Sequence, residues 1–148
     1  MQGCIFCNKI NGNDDEEHVV ARSEHVFATL NKFPYNNGHL MIVPYAHIAS
    51  QEDMSEAGLT DIMVMVNRAM TALRELYNPH AFNIGANIGD AAGAGIAAHF
   101  HFHVVPRWSG DANFMSTVGN TRVIPDPLEI TYQNLKAKWQ QLYPESNH

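Results

Sequence analysis

The segment His99-Phe100-His101-Phe102-His103-Val104-Val105 constrains this chain more than any other. Strand side chains alternate between faces. As a strand closed by Pro106, the run sends Phe100, Phe102 and Val104 to one face and the three histidines to the other. One face can enter a core while the other carries a row of imidazoles. Alternate strand residues lie ~6.6–6.8 Å apart, which puts His99 and His103 ~13 Å apart at Cα. Metal–nitrogen bonds are only ~2 Å long. One ion held by all three histidines is therefore strained. One outer histidine with ligands from elsewhere is easier, and it frees the others for different chemistry.

The rest of the chain supplies a setting for that strand. At 148 residues, with 45% hydrophobic and 16% charged residues, a single globular domain over 1–148 is expected. Val19 to Ala21 and Val26 to Leu30 read as two short strands, following a polar acidic loop at Gly12 to Glu17. Phe33 to Gly38 is turn-rich, and His39 to Val43 is a strand ended by Pro44. Asp53 with Glu56 forms a capping-box pattern. Leu59, Ile62, Met63, Val66, Met70, Leu73 and Tyr77 follow at helical spacing, until Asn78-Pro79 stops the helix. His80 to Ile88 alternates, with Asn83 and Asn87 on its polar face. Gly89 to Ala98 is an Ala/Gly loop, 107–120 is irregular, and Arg122 to Ile124 reads as a short strand. Asp126, Pro127 and Glu129 resemble a helix start, and Leu128, Tyr132, Leu135, Trp139 and Leu142 form the apolar stripe of a C-terminal helix over 127–143. Strands, helix, strands, helix with tight links predict an α+β fold: an antiparallel sheet, one long central helix and a C-terminal helix.

Charge and composition exclude several roles. A net charge of −6 argues against a long nucleic acid partner. A small phosphorylated ligand needs only a few local donors. No apolar run is long enough to span a membrane. Met1 to Cys4 does not read as a signal peptide, so a cytoplasmic protein is expected. Cys4 and Cys7, the only cysteines, have a spacing that suits metal binding or redox chemistry in a reducing compartment.

The histidine run matches a His-φ-His-φ-His-φ-φ signature (φ apolar), and the chain resembles the histidine-triad, or HIT, superfamily of nucleotidyl hydrolases and transferases. Asn31-Lys32-Phe33-Pro34, Gly38-His39 and Val43-Pro44 resemble its nucleotide-binding segment, and Asn87-Ile88-Gly89 with the Gly-rich loop its phosphate-side segment. His103 to Trp108, then Gly110 to Phe114, is similar to the branch of diadenosine-polyphosphate hydrolases and phosphorylases. The resemblance covers about residues 4–125.

It implies a HIT-like sheet and a nucleophilic His101 that attacks an α-phosphate to form a nucleotidyl-histidine. The second nitrogen of that ring must be held as a donor by a carbonyl, expected on a loop of the neighbouring strand. His103, His39 and the backbone amides of Ala94 and Gly95 are candidate donors to developing phosphate charge. Asn31 would contact the ribose and Asn87 a phosphate oxygen or the ribose, while turn formation is the plainer role for Asn31. Ala94-Gly95-Ile96 departs from relatives that carry Gln, Ser or Thr there. Phe6, Ile10, Phe27 and Ile42 either line a base pocket or are core. Relatives with an N-terminal Cys-x-x-Cys imply zinc on Cys4, Cys7, His47 and His99. A homodimer is implied too, with the long helix and strands at its interface. His18, His25, His80 and His148 read as surface residues. Phosphorolysis, nucleoside phosphoramidate hydrolysis, a catalytically silent nucleotide-binding module and a zinc-sensing protein stand as alternatives.

Overall fold

The computed structural model describes residues 3–34, 36–111 and 126–144. Its strands are β1 (Val19–Arg22), β2 (Val26–Leu30), β3 (Leu40–Pro44), β4 (Ala81–Gly85) and β5 (Phe102–Arg107). They form one antiparallel sheet in the order β1-β2-β3-β5-β4. The helices are α1 (Ile5–Asn11), α2 (Asp14–Glu17), α3 (Glu56–Tyr77) and α4 (Leu128–Leu142). This is the expected α+β architecture with a long central helix and a C-terminal helix. Among the described residues, no helix is long and apolar enough to cross a membrane. The strand expected at Arg122 to Ile124 lies outside the described residues.

Alternation along the strands splits the apolar residues into two clusters. Val26, Ala28 and Leu30 of β2, Leu40 and Ile42 of β3, and Phe100 and Val104 join α3 and α4 in the larger cluster. Tyr132, Leu135 and Trp139 of α4 are fully buried there. Truncating such an aromatic to alanine costs about 3–5 kcal/mol. Phe27, Met41 and Val43 point the other way and meet Cys4 and Phe6 of the N-terminal segment in a smaller cluster. The histidines lie on that second face, and α1 covers part of it. Gly38 needs to be glycine: its φ is +80°, and a Cβ would meet Leu73 Cδ2 of α3 at 2.6 Å.

Several boundaries differ from expectation. The acidic loop at Gly12 to Glu17 contains α2, whose cap is Asn13: its side chain accepts from Glu16 N–H. α1 has no periodic signal in the sequence, because its seven residues carry one buried apolar side chain, Phe6, too few for a stripe. The cap of α3 is Ser55, whose Oγ accepts from Gly58 N–H at 3.1 Å. Asp53 instead closes a 3₁₀ turn over Gln51–Asp53. The buried face of α3 is Ile62, Met65, Val66, Ala69, Ala72 and Leu73, while Leu59 and Met63 are exposed. The small Ala69 and Ala72 let α3 lie close to the sheet, which turns the helix away from a stripe drawn through large residues only. Asp126 does not cap α4. Pro127 precedes it with no side-chain cap, and Glu129 turns to His18 and Gln133. β4 ends at Gly85, three residues short of Ile88.

β5 begins at Phe102, so His99 and His101 precede the ladder. Phe100 N–H donates to Ile48 O at 2.6 Å instead of to β3. β3 stops at Pro44, which has no N–H for a further rung. The alternation of faces nevertheless persists through His99 to His103: Phe100 is 1% exposed in the larger core, and the imidazoles stay on the α1 side.

Candidate active site and metal centre

The three histidines divide into two sites, as the length of a strand requires. His99 turns its Nδ1 toward the N-terminal segment, 3.3 Å from Cys4 Sγ, 3.6 Å from Cys7 Sγ and 3.2 Å from His47 Nδ1. Cys7 Sγ lies 3.3 Å from His47 Nδ1. The ligand atoms of Cys4, Cys7, His47 and His99 all lie within 4.8 Å of one another. Bonds of about 2.3 Å to sulfur and about 2.0–2.1 Å to nitrogen give a tetrahedral ion ligand separations of about 3.4–3.8 Å. The donor set and spacing therefore fit a metal ion, and these residues could hold one. Both cysteines are free thiols. The ring of His99 is set for ligation, since its Nε2 donates to Pro44 O at 2.9 Å and its Nδ1 keeps the lone pair.

His101 and His103 face the other way, into a pocket of about 630 Å³. His101 Nδ1 lies 3.0 Å from His99 O. A carbonyl only accepts, so Nδ1 carries the proton and Nε2 the lone pair. The orienting carbonyl thus belongs to the residue two positions back, not to a neighbouring strand as expected. Burial lowers the His101 pKa, with the carbonyl opposing, and lowers that of His103, aided by His101. His39, 6% exposed, sits behind His103 with its Nε2 2.9 Å from His103 Nδ1. Burial first, then His103 and His101, push its pKa down to about 4. All three rings are neutral at pH 7.

The pocket collects several of the expected residues and omits others. Asn31, Asn87 and Gly95 line it together with His101 and His103. Asn31 also makes the turn: its Oδ1 accepts from Phe33 N–H at 2.9 Å. Ala94 is not among the lining residues, and its N–H donates to Gly89 O within the loop. Of the base-pocket candidates, Phe6 lines the pocket, with its ring centroid 4.8 Å from that of His101. Phe27 and Ile42 are fully buried core, and Ile10 packs on the smaller cluster. His18 and His25 are half-buried, His80 is exposed, and His148 lies outside the described residues.

Sequence reasoning missed the wall contributed by α1 and α2: Ile5, Asn8, Lys9 and Glu17. The overlooked signal was Asn13 with Glu16 three residues on, a helix start inside an acidic stretch. The motif that follows the triad has a structural use. Arg107 grips Asp111 through Nε and Nη2 at 2.8 and 2.7 Å, and reaches Asn83 Oδ1 at 2.6 Å. Asp111 also accepts from Asn36 Nδ2 at 2.9 Å, which ties the turn after Asn31 to the end of β5. Those contacts hold its carboxyl well below the usual carboxylate range.

Comparison with known proteins agrees with this geometry. The family model described as HIT domain matches residues 13–110, the stretch that carries β1 to β5 and all three histidines. The chain belongs to the HIT domain family. It is 43% identical over 127 residues to the AP-4-A phosphorylase of Mycobacterium tuberculosis, covering 86% of this chain. The chain spans only 65% of that relative's length. A HIT-like protein of Saccharolobus solfataricus is 35% identical over 112 residues, 76% of this chain and 79% of the relative. Among solved structures, a Zn-bound histidine triad family protein from Mycobacterium smegmatis superposes with a TM-score of 0.76 at 27% identity. That likeness covers 95% of this chain and 96% of the other.

Proposed function

We propose that this HIT protein is an enzyme that cleaves a dinucleoside polyphosphate, or a related nucleotide, at its α-phosphorus through a nucleotidyl-histidine on His101. The observation that carries the reading is the Nδ1 contact of His101 with His99 O, which leaves a neutral ring in the pocket wall with its lone pair on Nε2. Nε2 attacks the α-phosphorus, the bond to the leaving polyphosphate breaks, and that group departs with the bonding electrons. The oxygen of an acceptor then attacks the phosphorus, the phosphorus–nitrogen bond breaks with its electrons returning to Nε2, and the acceptor's proton is released to solvent, which restores the imidazole. With His39 Nε2–H donating to His103 Nδ1, His103 presents Nε2–H to the phosphate. Asn31, Asn87 and the Gly95 amide are the further contacts we assign to the nucleotide.

The acceptor is water or inorganic phosphate. The name of the mycobacterial relative, AP-4-A phosphorylase, favours phosphate as the second reading. Chromatographic analysis of products from diadenosine tetraphosphate, with and without phosphate, tests both. AMP and ATP in both conditions mean hydrolysis. ADP and ATP only with phosphate mean phosphorolysis. No cleavage in either condition overturns the dinucleoside polyphosphate reading and moves the test to adenosine phosphoramidates, whose resistance as well would leave a catalytically silent nucleotide-binding module.

We assign the metal as zinc with a structural role, on the Cys₂His₂ donor set and the Zn-bound neighbour. Bound there, it supplies cross-linking of α1 to the sheet. Two free thiols suit a reducing compartment, and we place the protein in the cytoplasm. We also infer a homodimer. Among the described residues β4 is the last strand of the sheet, with Ile84 exposed, and Met63 and Val64 of α3 are exposed as well. α3 reaches that edge, where Arg74 covers the Phe82 ring at 5.0 Å.

A further inference from the structure

Cys4 and Cys7 flank Phe6 at the start of α1. They are the only cysteines of the chain, and both are free thiols. Their sulfurs lie within 4.8 Å of each other, among the four donors of the cluster. Cys7 is half-buried and Cys4 5% exposed, so a small oxidant from solvent meets Cys7 first. The Phe6 ring packs on those of His99 and His101, at centroid distances of 5.4 and 4.8 Å. The His99 ring faces the sulfurs while its carbonyl holds His101 Nδ1. A change at the sulfurs therefore reaches the pocket by two routes, Phe6 and His99. Sulfurs that share one tetrahedral ion stand about 3.8 Å apart, whereas a disulfide holds them about 2 Å apart. The two states exclude each other. Residues three apart on a helix have Cβ atoms about 5–6 Å apart, against about 3.8 Å across a disulfide, so closing the bond tightens the first turn of α1. It also disturbs the cap of that helix, where Cys4 Sγ accepts from Cys7 N–H.

We propose that Cys4 and Cys7 are a site of oxidation by hydrogen peroxide, and that the disulfide they form weakens the nucleotide pocket through Phe6 and His99. The proposal rests on the metal and nucleotide readings given above. In a reducing compartment the thiols persist until an oxidant arrives. Cys7 Sγ attacks one peroxide oxygen, the O–O bond breaks, and the other oxygen leaves as water. A sulfenic acid remains on Cys7. Cys4 Sγ attacks that sulfur, the S–O bond breaks, and its oxygen leaves as a second water. The two sulfurs give two electrons to the peroxide, and the two thiol protons end in the two waters.

The test uses the full chain purified without chelator. One portion is left untreated, a second is treated with hydrogen peroxide and then catalase, and a third is afterwards given dithiothreitol and zinc. Intact mass, alkylation of thiols, zinc release to a colorimetric chelator and calorimetric titration with AMP are read on each. The oxidised chain is expected to lose the mass of two hydrogens without dimerising, to resist alkylation until reduced, and to release its zinc. AMP is expected to bind it about fivefold or more weakly than the untreated chain, and dithiothreitol with zinc to restore the affinity. Dithiothreitol does not reverse methionine oxidation, so restoration assigns the effect to the thiols. Thiols that remain open to alkylation after peroxide, a disulfide that leaves AMP affinity unchanged, or a loss that reduction does not restore overturns the proposal and leaves the pocket and the metal standing. Absence of zinc from the untreated chain removes the metal reading alone, and the AMP titration still decides the effect of the disulfide. No AMP binding by the untreated chain overturns the nucleotide reading and this proposal with it.

Discussion

His99 joins the two sites within one residue. Its ring faces the cysteines, and its carbonyl orients the neighbouring nucleophile candidate. His101→Ala removes the nitrogen proposed to attack, together with a ring that packs on Phe6 and His103. Turnover of diadenosine tetraphosphate should fall by about a thousandfold or more, with nucleotide affinity within about threefold of wild type. Single-turnover kinetics with a binding titration checks this, and activity near wild type would remove His101 from the mechanism. His39 makes a second residue-scale prediction. Its pKa is about 4 folded against the ordinary 6.5. Between those values the unfolded chain binds a proton that the folded chain refuses. Its contribution is therefore complete at pH 7, declines as pH falls below 6.5, and levels off below about 4. The loss reaches about 2 kcal/mol by pH 5. Urea unfolding at pH 7 and pH 5 should show a larger acid loss for wild type than for His39→Asn by about that amount. Equal losses would mean that His39 is not buried as a neutral ring.

At the scale of elements, α1 is the part most dependent on its attachments. Seven residues are too few to hold a helix alone. Phe6, the Lys9 contact and the cysteine cluster tie it down. Removing the proposed metal should release one of those ties. Chelator-treated protein, and Cys4→Ser, should melt about 5–15 °C lower and exchange amide hydrogens faster across Ile5–Asn11 than across α4. Elemental analysis of the untreated protein should give one zinc per chain. Absence of zinc after chelator-free purification, or exchange unchanged by chelation, would remove the metal from this role. The same element walls the pocket, so loss of metal should also weaken nucleotide binding.

For the whole molecule, the two faces of the sheet have separate tasks: α3 and α4 supply the main core on one, and α1, the Cys4, Cys7, His47 and His99 cluster and the pocket share the other. The β4 edge and the exposed residues of α3 lie outside both. Light scattering should give twice the chain mass, and Ile84→Lys should shift the protein toward monomer. A monomeric wild type would overturn the dimer. How much of this was legible beforehand depends on the range of each interaction. The strand alternation separated core from histidines, because backbone geometry alone decides which way a strand side chain points. Length along that strand already made one ion on all three histidines strained. The stripe of α4 was legible for a similar reason, since Tyr132, Leu135 and Trp139 repeat with the helical period. Only the tertiary structure decided that Lys9 and Glu17 wall the pocket, that Ala94 turns its amide inward, and that the carbonyl of His99 orients His101. These depend on how α1, the Gly-rich loop and the segment before β5 pack together. Side-chain periodicity carries no information about such contacts, because they form between segments far apart in the chain or through backbone atoms that every residue shares.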